Sequence, residues 1–319
     1  MAVGILLVGG FGTRLKPLTN EIPKPMLPVA GVPITEHQLL AAKKSGITTV
    51  VLATSYLSDV FTPYFGDGSR WGMKLLYAVE AEPLGTGGAI RNAAELLQGD
   101  EDVVIFNGDI LSNHRIDKQI EFHHSHNADV TLHLRTVEDA RAFGCVPTDS
   151  SGRVSAFLEK MDNPVTNSIN AGCYVFKRSI INEIPLGEVV SIERQTFPKL
   201  VADARAVFGY LEQSYWLDIG TPAALFKATA DLIDGEFEIA DSAQVQEDLR
   251  IVGGSYVGRG SKVGAGVSIE SSIICDGAVI EDGATVRNSF ISEGAVVKAG
   301  SVIDRHFLSK SSFEPISLP

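Results

Sequence analysis

Val3-Gly4-Ile5-Leu6-Leu7-Val8-Gly9-Gly10-Phe11-Gly12-Thr13-Arg14-Leu15 sets an apolar run directly before a glycine loop. The run is too short for a membrane span or the apolar core of a secretion signal, and it reads as a buried strand. Glycines at the carboxyl end of such a strand let backbone N–H groups approach phosphate oxygens with no Cβ in the way. Arg14 brings charge to the same polyanion, and so does Lys24 in Pro23-Lys24-Pro25, where the prolines stiffen the chain that aims it. Two familiar phosphate loops do not fit. A dinucleotide fingerprint needs glycine where Leu15 stands, and a Walker A loop needs Gly-Lys-Ser/Thr at its end.

Outward from this loop, short apolar runs at 48–53, 74–78, 102–106 and 129–134 alternate with helical patterns at 35–45, 89–97 and 117–126. Such alternation predicts βαβ units and a mostly parallel sheet covered on both faces. Thr221 followed by Pro222 is a helix start, and the helix over 223–233 closes the region. Residues 236–250 are acidic and poorly patterned, and read as a linker.

Beyond the linker the texture changes. Val257, Val263, Ile269, then Ile274, Ile280, Val286, then Ile291, Val297, Ile303 recur in steps of six, six and five, so the pattern repeats every seventeen residues. Gly260, Gly277 and Gly294 keep that register, as do Gly266, Gly283 and Gly300. Hexapeptide repeats of this kind predict a short left-handed parallel β-helix over 251–305, with one aliphatic side chain stacked inward per face and glycine at the corners. About three coils are near the lower limit of self-sufficiency, so the coils should pack on the first domain or on another subunit. The tail 306–319 shows no pattern.

The chain has 319 residues, 45% hydrophobic and 21% charged, with a formal net charge of −12. The acidic balance argues against nucleic acid as a partner. Three scattered cysteines form no CxxC pair, and with no membrane-length apolar stretch the expectation is a reduced, cytoplasmic protein. Asn107-Gly108-Asp109 follows an apolar strand, which puts a carboxylate at a strand's carboxyl end, where open α/β sheets hold their ligands. A second carboxylate, Asp218, lies in Trp216-Leu217-Asp218-Ile219-Gly220-Thr221-Pro222.

Taken together, the Gly-Gly-Phe-Gly-Thr-Arg-Leu loop, the Pro-Lys-Pro segment and the two aspartates resemble the sugar-1-phosphate nucleotidylyltransferases. The resemblance covers essentially the whole chain. It implies a Rossmann-like catalytic domain over 1–235, ahead of the 236–250 linker and the β-helix. It implies an enzyme that joins a sugar 1-phosphate to a nucleoside triphosphate and releases pyrophosphate. Arg14, Lys24, Asp109 and Asp218 would be catalytic, and Asp109 and Asp218 would bind Mg²⁺. Gly9, Gly10, Gly12, Thr13, Arg14, Lys24, Glu80, Pro83, Gly85 and Asp109 would contact the nucleotide. Gly144, Glu159, Lys160 and Asn170 would contact the sugar phosphate. The partners implied are small-molecule substrates, with no nucleic acid and no membrane, in a homo-oligomer.

The stretch Glu80-Ala81-Glu82-Pro83-Leu84-Gly85 resembles the family's base-binding segment, in which uridylyl and thymidylyl members carry Gln where Glu80 stands. A carboxylate accepts two donors, which suits the N1–H and N2 amino group of guanine, so GTP is the expected nucleotide. Glu82 competes for that role. Residues 141–148, 169–176 and 214–222 also resemble the guanylyltransferases of actinobacterial type that act on mannose 1-phosphate. Glucose 1-phosphate with UTP, dTTP or ATP is the alternative, as is a non-catalytic nucleotide-sugar sensor. Glu159 and Lys160 are expected to point to opposite faces of a strand. His123, His124 and His126 are expected on a solvated surface.

Overall fold

The computed structural model describes residues 2–10, 12–54 and 58–318; Phe11 lies outside them. The chain forms two compact units, one of Met1–Gly10 and His37–Trp216, the other of Phe11–Glu36 and Leu217–Pro319. This partition differs from a boundary near residue 235, because the glycine-loop segment and residues 217–235 group with the C-terminal coils.

The first unit is built on a seven-stranded sheet: β1 (Val3–Leu7), β2 (Thr49–Thr54), β3 (Lys74–Val79), β4 (Val103–Asn107), β5 (Val130–Thr136), β6 (Ser168–Phe176) and β7 (Val207–Leu211). Its order is β7-β5-β6-β4-β1-β2-β3, parallel throughout except where β6 runs antiparallel to β4 and β5. Ile5, Val51, Val103, Ile105, Val130 and Leu132 are fully buried, as runs of Val, Ile and Leu must be in a sheet covered on both faces. The helices Ile34–Lys44, Gly85–Ala94 and Ile116–Ser125 lie within a few residues of their expected places. The long antiparallel strand β6 was not expected as a strand.

The second unit contains the C-terminal β-helix. All nine aliphatic positions of the repeat are inside, from 0% exposed at Val257 to 9% at Ile303, and they form one core cluster. Each stacks on its counterpart one coil later, Val257 on Ile274 on Ile291, and Val263 on Ile280 on Val297. The six repeat glycines have φ between 63° and 69°. The third corner of each coil is taken by Ser271, Asn288 and Arg305, whose φ values are also positive. Beside that corner runs a serine ladder: Ser272 N–H donates to Ser255 Oγ at 3.2 Å, and Ser289 N–H to Ser272 Oγ at 3.1 Å.

Residues 236–250 are a coil rather than a linker. Phe237–Ile239, Gln244–Val245 and Arg250–Val252 pair in parallel with the next coil, with Ile239, Val245 and Ile251 in register with Val257, Val263 and Ile269. The steps of six were present there, but the corners lack glycine. Ser242 and Asp248 instead accept hydrogen bonds from Gly260 N–H and Gly266 N–H, at 3.1 and 2.8 Å, so part of the acidic character is corner capping. The tail is ordered too: His306–Leu308 extends one face of the coil and Phe313–Pro315 closes it antiparallel. In the same unit Glu21 Oε1 accepts from Ser309 Oγ at 2.7 Å and Ser311 Oγ at 2.9 Å. The helix Pro222–Leu232 starts as expected, with the Thr221 side chain accepting Ala224 N–H.

Candidate active site

In the first unit, β1, β2 and β3 succeed one another to one side, whereas β4 lies on the other side of β1. The strand order therefore reverses between β1 and β4, and open α/β sheets bind ligands in the crevice at the carboxyl ends of such a pair. Leu7 and Asn107 are paired across these strands, so Gly9-Gly10 and Asn107-Gly108-Asp109 leave the sheet side by side. Gly108 N–H donates to Leu7 O at 3.0 Å, and a Cβ on Gly108 would stand 2.1 Å from that oxygen. Only glycine lets the turn before Asp109 lie so close to β1.

Glu80 follows β3 at the same edge, its N–H donating to Thr54 O at 3.0 Å. Its carboxylate is half-buried and accepts Leu84 N–H at 3.1 Å. Burial holds the Glu80 carboxyl above its ordinary range, against the opposing effect of that hydrogen bond. Glu82 and Pro83 are exposed. Gly85 opens the next helix in close contact with Val190: a Cβ there would meet Val190 O at 2.7 Å, while Gly87 N–H and Gly88 N–H donate to the same oxygen. Packing alone therefore accounts for glycine at 85.

Three segments expected around a sugar phosphate do converge. Asn170 N–H donates to Gly144 O at 2.9 Å, and Cys145 and Leu158 exchange backbone bonds at 2.9 and 3.0 Å. A Cβ on Gly144 would meet Glu159 Oε2 at 2.8 Å, so the missing side chain leaves room beside that carboxylate. Asn170 Oδ1 accepts Gly172 N–H at 3.1 Å and its Nδ2 donates to Tyr174 Oη at 2.9 Å. Among the described residues these are the bonds its amide makes, one through a donor and one through an acceptor. Glu159 and Lys160 do not point to opposite faces: Lys160 has φ 42°, and its Nζ lies 3.7 Å from Glu159 Oε1. The left-handed conformation removes the strand alternation on which that expectation depended.

The second unit holds Gly12, Thr13, Arg14, Lys24 and Asp218. Thr19 Oγ1 donates to Gly12 O at 2.9 Å, and a Cβ on Gly12 would stand 2.9 Å from Lys24 Cβ, so loop and Pro-Lys-Pro segment fold against each other. Lys24 is 9% exposed, whereas Thr13 and Arg14 are exposed. Arg14 and Asp218 meet at Gly220, where a Cβ would lie 2.8 Å from Arg14 Nη2 and 3.1 Å from Asp218 Oδ1. A side chain at residue 220 would crowd both groups, so glycine is what leaves room for them there.

Among the described residues no group of three or more His, Cys, Asp or Glu could hold a metal ion by itself. Mg²⁺ is usually bound by one or two carboxylates, with substrate phosphates and water completing the shell. Asp109 in the first unit and Asp218 in the second each carry hard oxygen donors of that kind. Each carboxylate by itself has the oxygen chemistry that Mg²⁺ prefers.

Three features of the first unit carry no signal in the sequence. Gln38, 7% exposed, donates from Nε2 to Asn107 O at 2.7 Å and Ile110 O at 2.9 Å. Tyr174, fully buried, receives Asn107 as well as Asn170 at its hydroxyl. His114 and His133 stack with centroids 3.9 Å apart, and burial pushes both imidazoles below their ordinary value. The expectation of a solvated His123 is overturned. It is 1% exposed, with Nδ1 2.9 Å from Thr131 Oγ1 and Nε2 3.9 Å from Asp102, and burial depresses it to about 4. His124 is exposed, and His126 stacks on Phe122. Helical periodicity turns His123 inward while its neighbour faces out.

The chain matches the family described as Nucleotidyl transferase over residues 3–235. It is 47% identical over 285 residues to the mannose-1-phosphate guanylyltransferase of Mycobacterium tuberculosis (strain ATCC 25618 / H37Rv), covering 85% of this chain and 79% of that one. To mannose-1-phosphate guanylyltransferase 1 of Arabidopsis thaliana it is 34% identical over 285 residues, covering 84% and 78%. HddC from Yersinia pseudotuberculosis has the same fold at a TM-score of 0.63 and 29% identity, over 73% of this chain and 100% of that one, and its complex with GMP-PN gives the same values. This chain belongs to the nucleotidyl transferase family. Among the described residues no helix is long and apolar enough to cross a membrane.

Proposed function

We propose that the chain is a sugar-1-phosphate guanylyltransferase that combines GTP with mannose 1-phosphate to give GDP-mannose and pyrophosphate. The observation that carries this reading is the gathering of Gly9-Gly10, Glu80 and Asn107-Gly108-Asp109 at the carboxyl edge of one sheet, around the point where strand order reverses. The relatives named as mannose-1-phosphate guanylyltransferases support the choice of substrates.

In this reaction an oxygen of the sugar phosphate, already anionic at neutral pH, attacks the α-phosphorus of GTP. A new P–O bond forms, the bond to the oxygen bridging to the β-phosphorus breaks, and its electron pair leaves with pyrophosphate. No proton moves, so no general base is required. The difficulty is repulsion between two polyanions, and positioned positive charge is the remedy. Arg14 and Lys24 supply it from the chain, while Gly9, Gly10, Gly12 and Thr13 line the phosphates. Glu80 accepts the two donors of guanine, with Pro83 and Gly85 bordering the base. Glu159 and Asn170 hold the sugar hydroxyls, Gly144 presents backbone to the ring, and Lys160 meets the sugar's phosphate. Mg²⁺ on Asp109 and Asp218 would neutralise phosphate charge as the substrates meet. A cytoplasmic location and self-association belong to the same reading.

The test is pyrophosphate release measured over a grid of four triphosphates and several sugar 1-phosphates. GTP with mannose 1-phosphate should give the highest kcat/KM. Preference for UTP or dTTP would overturn the role of Glu80, and no release from any pair would overturn the enzymatic reading.

A further inference from the structure

Asp109 sits in a tight turn between β4 and the short strand Ile110–Ser112. The carbonyls on either side of the Gly108-Asp109 pair, Asn107 O and Ile110 O, both accept from one atom, Gln38 Nε2, at 2.7 and 2.9 Å. Gln38 lies on the helix Ile34–Lys44, 69 and 72 residues away in sequence, and is 7% exposed. A primary amide carries two N–H donors, and both are used here. The third fixed point is Gly108 N–H on Leu7 O at 3.0 Å. The turn is thus held from the helix at both ends and from β1 in the middle.

The acceptor end of the same amide is not used by the protein: Gln38 Oε1 is buried and has no hydrogen-bond partner among the described residues. A residue kept only for fold stability gains little from a buried orphan oxygen. Its donor end, by contrast, meets two carbonyls that flank one carboxylate. Glutamate, of the same length, would set negative oxygens against those carbonyls. Methionine would fill the space and leave both carbonyls unpaired.

We infer that Gln38 is a positioning residue for Asp109: its two N–H groups clamp the peptides around that aspartate and set where the carboxylate faces the divalent ion. The inference rests on the proposed role of Asp109 as a metal ligand. Groups that orient metal ligands typically change metal affinity by about 10–100-fold when removed. Gln38 acts through backbone rather than through the carboxylate itself, so the lower end of that range is expected.

The experiment compares the full chain with Gln38→Met, Gln38→Asn and Asp109→Asn. Three quantities are read: Mn²⁺ binding in the presence of GTP, from the free-ion signal in electron paramagnetic resonance; the Mg²⁺ concentration for half-maximal pyrophosphate release; and the melting temperature. Gln38→Met should weaken Mn²⁺ binding and raise the Mg²⁺ requirement about tenfold, with the KM for sugar phosphate changed less than about threefold. Its melting temperature should fall, because both carbonyls lose their donor, so the metal readouts are taken well below the melting point. Gln38→Asn keeps the donors one methylene short and should fall between. If Gln38→Met does not fold, Gln38→Asn carries the test, with weaker Mn²⁺ binding and a higher Mg²⁺ requirement than wild type expected. Mn²⁺ and Mg²⁺ dependence equal to wild type in a folded variant would overturn the positioning role and leave Gln38 as packing. Unchanged Mn²⁺ binding in Asp109→Asn would instead overturn the ligand role of Asp109, whatever the Gln38 variants do.

Discussion

The central sheet, parallel except at β6, and the β-helix are both built mainly from parallel strands, yet they are ordered over different distances along the chain. In the sheet, Leu7 pairs with Asn107 and Val103 with Phe176. In the β-helix, Val257 pairs with Ile274, one coil on, and Ile274 with Ile291. Each coil is nearly the same problem solved again, so a sequence period is enough to describe its core. The sheet has no such period. Its order depends on which distant strands meet, and that choice decides which loops share the crevice between β1 and β4. Candidate chemistry therefore gathers where the contacts are non-local, whereas the periodic region carries aliphatic layers and corner caps.

Five substitutions would break or sharpen this contrast, in descending order of effect. Asp109→Asn or Arg14→Ala should lower turnover by about a hundredfold or more, as loss of a charged contact worth roughly 3–4 kcal/mol would. Circular dichroism should be unchanged, and near-normal pyrophosphate release from either variant would remove that residue from the proposed mechanism. Ile280→Ala, in the middle of the β-helix core, should destabilise by about 2–4 kcal/mol in urea unfolding while kcat at low temperature stays close to wild type. A large loss of kcat there would show that the coils do more than support.

Glu80→Gln should have a smaller effect, on nucleotide choice and on stability, with a definite sign. Burial raises the Glu80 carboxyl in the folded state, so its ionisation at neutral pH opposes folding. The glutamine variant should melt slightly higher at pH 7, with the difference closing as pH falls through the carboxylate range, and it should lose preference for GTP over UTP. Equal GTP preference would shift attention to Glu82. The smallest effect belongs to His123, depressed to about 4 by burial. Unfolded histidine takes up a proton near pH 6.5 and the folded one does not. Its stabilising contribution is therefore present above pH 6.5 and declines from there down to about pH 4, and His123→Gln should flatten that part of the stability curve. An unchanged curve would mean that His123 is protonated alike in both states.

Much of this was legible in particular residues. The nine aliphatic positions from Val257 to Ile303 are all interior, and the six corner glycines all have positive φ. Thr221 caps the helix it was expected to cap. The first coil was missed although Ile239, Val245 and Ile251 continue the steps of six, because Ser242 and Asp248 stand in for the glycine signal at its corners. Lys160 was misdirected because one left-handed residue cancels strand alternation, and His123 because neighbouring polar residues hid its inward face. Gln38 could not be found at all, since nothing local distinguishes it from the other polar residues of its helix.

By itself, then, the amino-acid sequence determined the alternation that makes the sheet, the layered core of the coils, and the residue types a phosphate chemistry requires, because periodicity and backbone preference act over a few residues. Tertiary structure alone decided that β4 lies beside β1, that β6 runs antiparallel, and that one buried amide from a distant helix grips the turn carrying Asp109. Those contacts join residues that no local pattern relates, and burial of the whole sheet selects them together.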